Sequence, residues 1–307
     1  MTKEKKLSCA QGEFPPEQNT KPSVLTRIRI AIKNNYTGWL FIMPTVLGVL
    51  LFTMYPMISS FIYSFFDYNI VSPPQNFGLQ NYIRPFTTGW KEFSRSLQVT
   101  VVFVEACQVI GVPFTAALCA FGFSRVKFRF RETLFAILLS TMMLPGICTQ
   151  IPLYVTYVKI GWLNTLLPFT VTAFFGGGAM NIFLIRQFMR GVPKEMDEAA
   201  KIDGANAFMI FLRLVLPLCM PVIVLIVVQT FIGNWNDFMG PLLYLRDERV
   251  YTLAIGVYSR FSGSSDANSY ANVQMAVGLY MMLPCAVIFF IFQKQLIDGV
   301  QLGAIKG

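Results

Sequence analysis

The sequence contains no histidine. This removes imidazole metal sites and the side chain most often used as a general base near neutral pH. Charge is scarce too: 13% of the residues are Asp, Glu, Lys or Arg, against about 25% in soluble domains. The six cysteines, Cys9, Cys107, Cys119, Cys148, Cys219 and Cys285, are scattered, with no Cys-x-x-Cys pair and no ligand-like spacing. Five lie in apolar stretches, where a thiol packs as a small hydrophobe. Cys9 follows Lys3, Lys5 and Lys6 rather than an apolar core, so neither a lipoprotein box nor a cleavable signal peptide is expected. A GxxxxGK(S/T) loop is also missing, so no cradle for ATP phosphates is expected on this chain. The run Gly176-Gly177-Gly178 lacks the lysine and lies in an apolar stretch. No Ser/Lys or paired-Asp arrangement supports catalysis.

What the chain does have is apolar length. Over half of its 307 residues, 54%, are hydrophobic. About 20 apolar residues cross the hydrocarbon core of a bilayer as a helix, and six stretches qualify: 39–63, 97–121, 133–154, 164–185, 216–235 and 273–292. Pro44, Pro56, Pro113, Pro145, Pro221 and Pro284 fall inside or at the edge of these stretches. Membrane helices accept such residues where neighbours re-satisfy the freed backbone groups. The expectation is an all-α membrane protein with six transmembrane helices. The polar segment 1–35 reads as a tail, and 23–35 within it as a basic flank or a short amphipathic surface helix. Residues 36–96 supply the first span and a long loop, 97–292 the remaining five spans, and 293–307 a second tail. Trp39, Trp90, Trp162 and Trp235 fall near span ends, as in an interfacial aromatic belt.

The net charge of +9 is resolved by placement. Of the 25 Lys and Arg, only Arg84, Lys91, Arg95, Lys159, Arg246, Arg249 and Arg260 fall on one side of the six spans; all the others fall opposite. Cytoplasmic loops carry the excess of Lys and Arg. Both termini are therefore expected in the cytoplasm, and the basic balance reports topology rather than nucleic-acid binding. On this reading the loops 67–96 and 236–272 are external, and the loop 186–215 is cytoplasmic.

That cytoplasmic loop holds the most informative residues. Pro193 suits the first position of a helix. Glu195, Asp197 and Glu198 follow, where a helix dipole favours anions. Gly204 suits a left-handed C-terminal cap, and Asn206 suits the N-cap of a second helix. Ala199 and Ala200 keep one face small, so that another protein can approach. Pro217 marks the return to the membrane. On these residues alone, a plain helical hairpin joining two spans is the favoured account of the pattern.

Glu198-Ala199-Ala200, then Gly204, then Leu216-Pro217 resembles the EAA motif of permease subunits of binding-protein-dependent ABC importers. In that family the loop is a coupling helix that docks on a separate ATPase. The resemblance implies that Glu198 pairs with a basic group of the ATPase, that Gly204 sets the break, and that Asp203 and Ala205 flank it. Asn234-Trp235-Asn236-Asp237-Phe238 with Pro241-Leu242, Met143-Leu144-Pro145 and Ile151-Pro152-Leu153-Tyr154 look like stretches of carbohydrate permeases. The ending Gly299, Gly303-Ala304, Lys306-Gly307 is similar to that of maltose-type subunits, whose tail reaches the ATPase dimer, whereas Phe77-Gly78-Leu79-Gln80-Asn81-Tyr82 looks more like the partner subunit. The resemblance covers residues 36 to 307. It implies the type I ABC importer permease fold in a bacterial inner membrane, with alternating access between two permease subunits. ATP and Mg²⁺ would be bound by an ATPase dimer and not by this chain, and an extracytoplasmic binding protein would deliver a sugar.

Three further residues are candidates for the translocation path. Glu105 is an acid inside an apolar span, where such residues serve function by default, though it is near enough to the outer boundary to be solvated. Asn234 and Asp237 lie at the outer end of the fifth span and either line the path or cap the helix. The segment 238–271, with its Ser262-Gly263-Ser264-Ser265 tip, is a candidate contact with the binding protein. Two other readings remain open: an importer of the same build for an amino acid or polyamine, and an ion-coupled carrier or channel centred on Glu105.

Overall fold

The computed structural model describes residues 36–69, 73–87, 90–261 and 271–304. The tail 1–35 with Cys9, the tip 262–265 and the last three residues lie outside the described residues. Among those described, the structure is helical, with one isolated bridge, Asp67 to Gln75, and no strand. The helices are α1 Tyr36–Tyr63, α2 Gln80–Thr87, α3 Trp90–Arg125, α4 Arg131–Thr141 and α5 Gly146–Lys159. Then come α6 Leu167–Thr170, α7 Ala179–Arg190, α8 Glu195–Ile202, α9 Ala207–Leu218 and α10 Met220–Trp235. The chain closes with α11 Met239–Tyr244, α12 Leu253–Phe261 and α13 Ala271–Ala304.

Four segments are long and apolar enough to cross a membrane on their own: α1, α3, Leu167–Arg190 and the first 25 residues of α13. The count rises to six if two bent pairs each make one span, α4 with α5 at 98° and α9 with α10 at 79°. The apolar run 133–154 is therefore not one helix. Residues 142–145 break it, because Pro145 cannot donate a helical hydrogen bond and constrains the residue before it. The run 164–185 is likewise interrupted by Gly176, Gly177 and Gly178, all at positive φ. The last helix runs well past 292, so most of the expected tail 293–307 is a helical extension of the span.

The chain divides into two compact units, one ending at Ser59 and one starting at Ser60. The first contributes most of α1, which carries Pro44 and a widened π turn at Val49–Met54. In the second unit the core joins α3, α4, α7, α9 and α10 through Ala116, Ala120, Phe135, Ile185, Phe211 and Ile226. Alanines on α3 let α7 approach closely. Gly177 makes that contact possible: its φ is +58°, and a Cβ there would sit 2.6 Å from the Ala116 amide nitrogen. Large apolar side chains elsewhere stay outward, among them Met143, Ile147, Ile151, Leu283, Phe290 and Ile291. So much exposed apolar surface suits lipid and not water.

Among their described residues the two expected external loops contain α2, the start of α3, α11 and α12. They are stitched by polar contacts. Asn81 donates to the Ser64 and Phe66 carbonyls at 2.9 Å each, and Asn272 donates to Asn81 Oδ1 at 2.9 Å. Asn164 accepts from the Arg246 and Asp247 amides at 3.0 and 2.8 Å. Asn81 thus ties the end of α1 to α2 and α13. Trp235 does not sit in an aromatic belt: it is 4% exposed and donates to the Met281 carbonyl at 2.8 Å.

Candidate functional site

The site is assembled at the basic end of the helices, where α3, α4, α7 and α8 meet. The chain leaves α7 at Arg190, turns, and enters α8 two residues later than the proline rule suggests. Lys194 is the residue before the first helical position, so Pro193 lies in the connection. Glu195, Asp197 and Glu198 occupy the first turn, where the unpaired amides of a helix start attract anions.

The end of α8 follows the expectation closely. Gly204 has φ +83°. Its amide donates to the Lys201 carbonyl at 3.0 Å, and the Ala205 amide donates to the Ala200 carbonyl at 2.9 Å. This is the paired bonding of a Schellman cap, which satisfies the last carbonyls of the helix. Asn206 then caps α9, its Oδ1 accepting from the Met209 amide at 2.8 Å. From there α9 widens into a π segment, Ile210–Val215, and its fully buried Phe211 and Val215 enter the core. Leu216 is partly buried and packs on the core, and Pro217 is exposed near the end of α9. The chain bends two residues later, after Cys219, and not at Pro217 itself.

The two faces of α8 differ. Asp197 and Ala200 face the protein; Glu198, Ala199, Ile202 and Asp203 face out. Glu198 and Ile202, four apart, share one outward face. Ile202 is 88% exposed, and Phe208 on α9 is 57% exposed. An acid flanked by bare apolar side chains on a capped helix has the composition of a docking surface. The motif Glu198, Ala199, Ala200, Asp203, Gly204 and Ala205 is thus brought together in one exposed turn-and-helix unit. Sequence reasoning missed Ile202 and Phe208, because an apolar residue in a helix gives no local sign of whether it points in or out.

It also missed the anchor beneath. Arg125, the last residue of α3, forms an ion pair with Asp197 at 3.1 Å, their side chains 5% and 10% exposed. Beside it, Arg186 of α7 binds Glu132 of α4 at 2.9 Å, donates to the Phe123 carbonyl, and stacks on the Phe135 ring at 3.8 Å. Both arginines had looked like ordinary topology charges.

Two of the path candidates lie on elements that pack together, and the third is engaged locally. Glu105 lies in a π segment of α3, Val99–Glu105, that packs against α10. It is 4% exposed, and neither carboxyl oxygen finds a hydrogen-bond partner within the described chain. Asn234 Nδ2, on α10, is buried without a partner as well. Asp237 is employed locally: its Oδ1 accepts from the Gly240 amide at 3.1 Å, at the start of α11. At the opposite end of the helices an open cleft is lined by Glu92, Arg95, Arg246, Asp247, Glu248 and Arg249.

A multi-span helical membrane protein with a capped, outward-facing helix at its basic end is the class that fold and site define. The chain belongs to the family of binding-protein-dependent transport system inner membrane components, whose model matches residues 111–301. It is 31% identical over 228 residues to the melibiose/raffinose/stachyose import permease protein MelC of Bacillus subtilis, spanning 72% of this chain and 80% of that protein. It is 28% identical over 241 residues to the arabinooligosaccharides transport system permease protein AraQ of Halalkalibacterium halodurans, spanning 78% and 83%. A trehalose/maltose transport system permease protein MalG, from Thermococcus litoralis, is 27% identical over 75% of this chain and 81% of its own length. Among solved structures, a bacterial ABC transporter that imports the acidic polysaccharide alginate matches 89% of this chain and 98% of its own, with a TM-score of 0.70 at 21% identity. That likeness concerns the fold. A second structure, of an alginate ABC transporter with a pentasaccharide-bound periplasmic protein, has a TM-score of 0.62 at 15% identity over 86% and 95%.

Proposed function

We propose that this chain is one permease subunit of an ATP-driven, binding-protein-dependent importer of a sugar or oligosaccharide in a bacterial inner membrane. The observation that carries the reading is the outward face of α8. Glu198, Ile202 and Asp203 stand out from a helix whose other face is tied to α3 through buried Asp197. A face held this way can pass force from a partner to α3. The partner is an ATPase dimer that binds ATP and Mg²⁺; this chain supplies the path and the coupling surface.

The six-span arrangement with both termini in the cytoplasm follows from the charge placement and from taking each bent pair as one span. It puts α8 on the ATPase side and the cleft at Arg246 and Arg249 on the side of the binding protein. A second permease subunit completes the path, with Glu105, Asn234 and Asp237 as its candidate residues here. Binding of ATP and of the loaded binding protein then biases a two-state membrane unit. Support for a sugar comes from the relatives, whose names specify arabinooligosaccharides, melibiose/raffinose/stachyose and trehalose/maltose.

Uptake by the purified complex in liposomes, with labelled oligosaccharides, amino acids and polyamines, tests the substrate class. ATP-dependent uptake of an oligosaccharide alone is expected. Uptake of an amino acid or polyamine instead would reassign the solute. Uptake driven by an ion gradient without the ATPase would overturn the importer reading.

A further inference from the structure

The helix that faces the ATPase can act on the membrane helices only through what holds it. Three backbone elements converge on one side chain there, the Arg125 guanidinium. Arg125 ends α3, which runs 36 residues from Trp90. Its Nη2 donates to the Met189 carbonyl at 2.8 Å and to the Val192 carbonyl at 2.7 Å. Its Nη1 pairs with Asp197 Oδ2 at 3.1 Å. The end of α3, the last turn of α7 with the link beyond it, and the first turn of α8 are therefore pinned by one planar group.

The placement suits the electrostatics of both helix ends. A cation at the end of α7 lies at the negative end of that helix's dipole, and an anion in the first turn of α8 lies at the positive end of the other. Arginine is the residue for this task, because its donors sit on separate nitrogens in a fixed plane and reach carbonyls and a carboxylate at different places, whereas lysine's three donors share one nitrogen. The pairing is also unsaturated. Arg125 Nε, Arg125 Nη1 and Asp197 Oδ1 are buried and have no hydrogen-bond partner, so the 3.1 Å approach of Nη1 to Asp197 Oδ2 is an ion contact and not an aligned hydrogen bond.

The geometry points to the Arg125–Asp197 pair as a positioning joint that transmits displacement of α8 to α3 and α7. The pair touches no substrate and no nucleotide; its effect is on how much transport each hydrolysis event yields. This inference rests on the reading of α8 as the ATPase seat. The Arg186–Glu132 bridge is a different case. Its Glu132 side chain is 64% exposed, so water competes for it and it transmits less.

The test uses the complete complex in liposomes and compares D197N, R125K and E198R. For each variant, ATPase association, hydrolysis stimulated by the binding protein, and uptake per ATP are measured. D197N and R125K are expected to keep association and hydrolysis while uptake per ATP falls about tenfold, the middle of the range for a coupling interaction. Two results overturn the inference. One is uptake per ATP unchanged in both variants. The other is hydrolysis and uptake falling together with the amount of assembled complex, which makes the pair structural only. If one variant fails to assemble, the other decides, since R125K keeps the positive charge and D197N keeps the arginine. E198R separates the two levels. Its retention of association and uptake would remove α8 as the ATPase seat, and the inference with it. Loss of association in E198R, with normal uptake per ATP in the other two, would remove the inference alone.

Discussion

Individual residues around α8 were legible to different degrees. Gly204 and Asn206 were readable because each answers a purely local backbone demand: a left-handed residue to end one helix and an oxygen acceptor to start the next. The structure places both accordingly, with φ +83° at Gly204 and a 2.8 Å cap bond at Asn206. A side chain at Gly204 would meet open space. The cost of Gly204→Ala is then backbone strain alone, about 1–2 kcal/mol, and Asn206→Ala should cost about 1 kcal/mol through the lost cap. Thermal unfolding of the purified chain in detergent should show both as modest downward shifts. No shift for Asn206→Ala would mean that the cap bond contributes nothing. Arg125 and Asp197 were not readable, because their partnership joins residues 72 positions apart in the sequence and depends on how α7 and α8 fold back on α3. A charged residue at the end of an apolar stretch looks the same whether it faces water or is buried.

Among the elements, span existence was clear and span shape was not. The apolar runs at 39–63, 97–121 and 273–292 each became helical over most of their length, since twenty apolar residues have few alternatives in lipid. The runs at 133–154 and 164–185 hid breaks. Pro145 and the three glycines were visible in the sequence, but proline and glycine are tolerated in membrane helices, so their presence did not say whether a helix bends or stops. At Gly177 the structure gives the reason: the backbone needs φ +58° and runs against α3 too closely for a Cβ. Gly177→Ala must push α7 away from Ala116 and Val112, a backbone clash without a flexible group to yield. Overpacking of this kind costs about 1–3 kcal/mol, and the left-handed strain adds to it. Gly161→Ala is the comparison, because its φ of +74° is also left-handed and nothing lies within 4 Å of its Cβ position. Thermal stability should fall clearly more for Gly177 than for Gly161; equal losses would contradict the close-approach account.

For the whole molecule, composition and charge placement carried the membrane class, and motif spacing carried the family; the residues that join the parts came only from the structure. The charge count predicts that α8 and the cleft at Arg249 lie on opposite sides of the membrane. Cysteines placed at Lys201 and Arg249 should therefore react with a membrane-impermeant thiol reagent from opposite faces, and reaction from the same face would break the six-span topology. The central claim is that the outward face of α8 is where the ATPase sits. Its most direct measurement is a photo-reactive amino acid placed at Ile202, the most exposed large apolar residue of that face at 88%, in the assembled complex. The account predicts an adduct with the ATPase subunit whose yield changes with nucleotide. An adduct with the external binding protein, or none with the ATPase while the complex stays assembled, would contradict it.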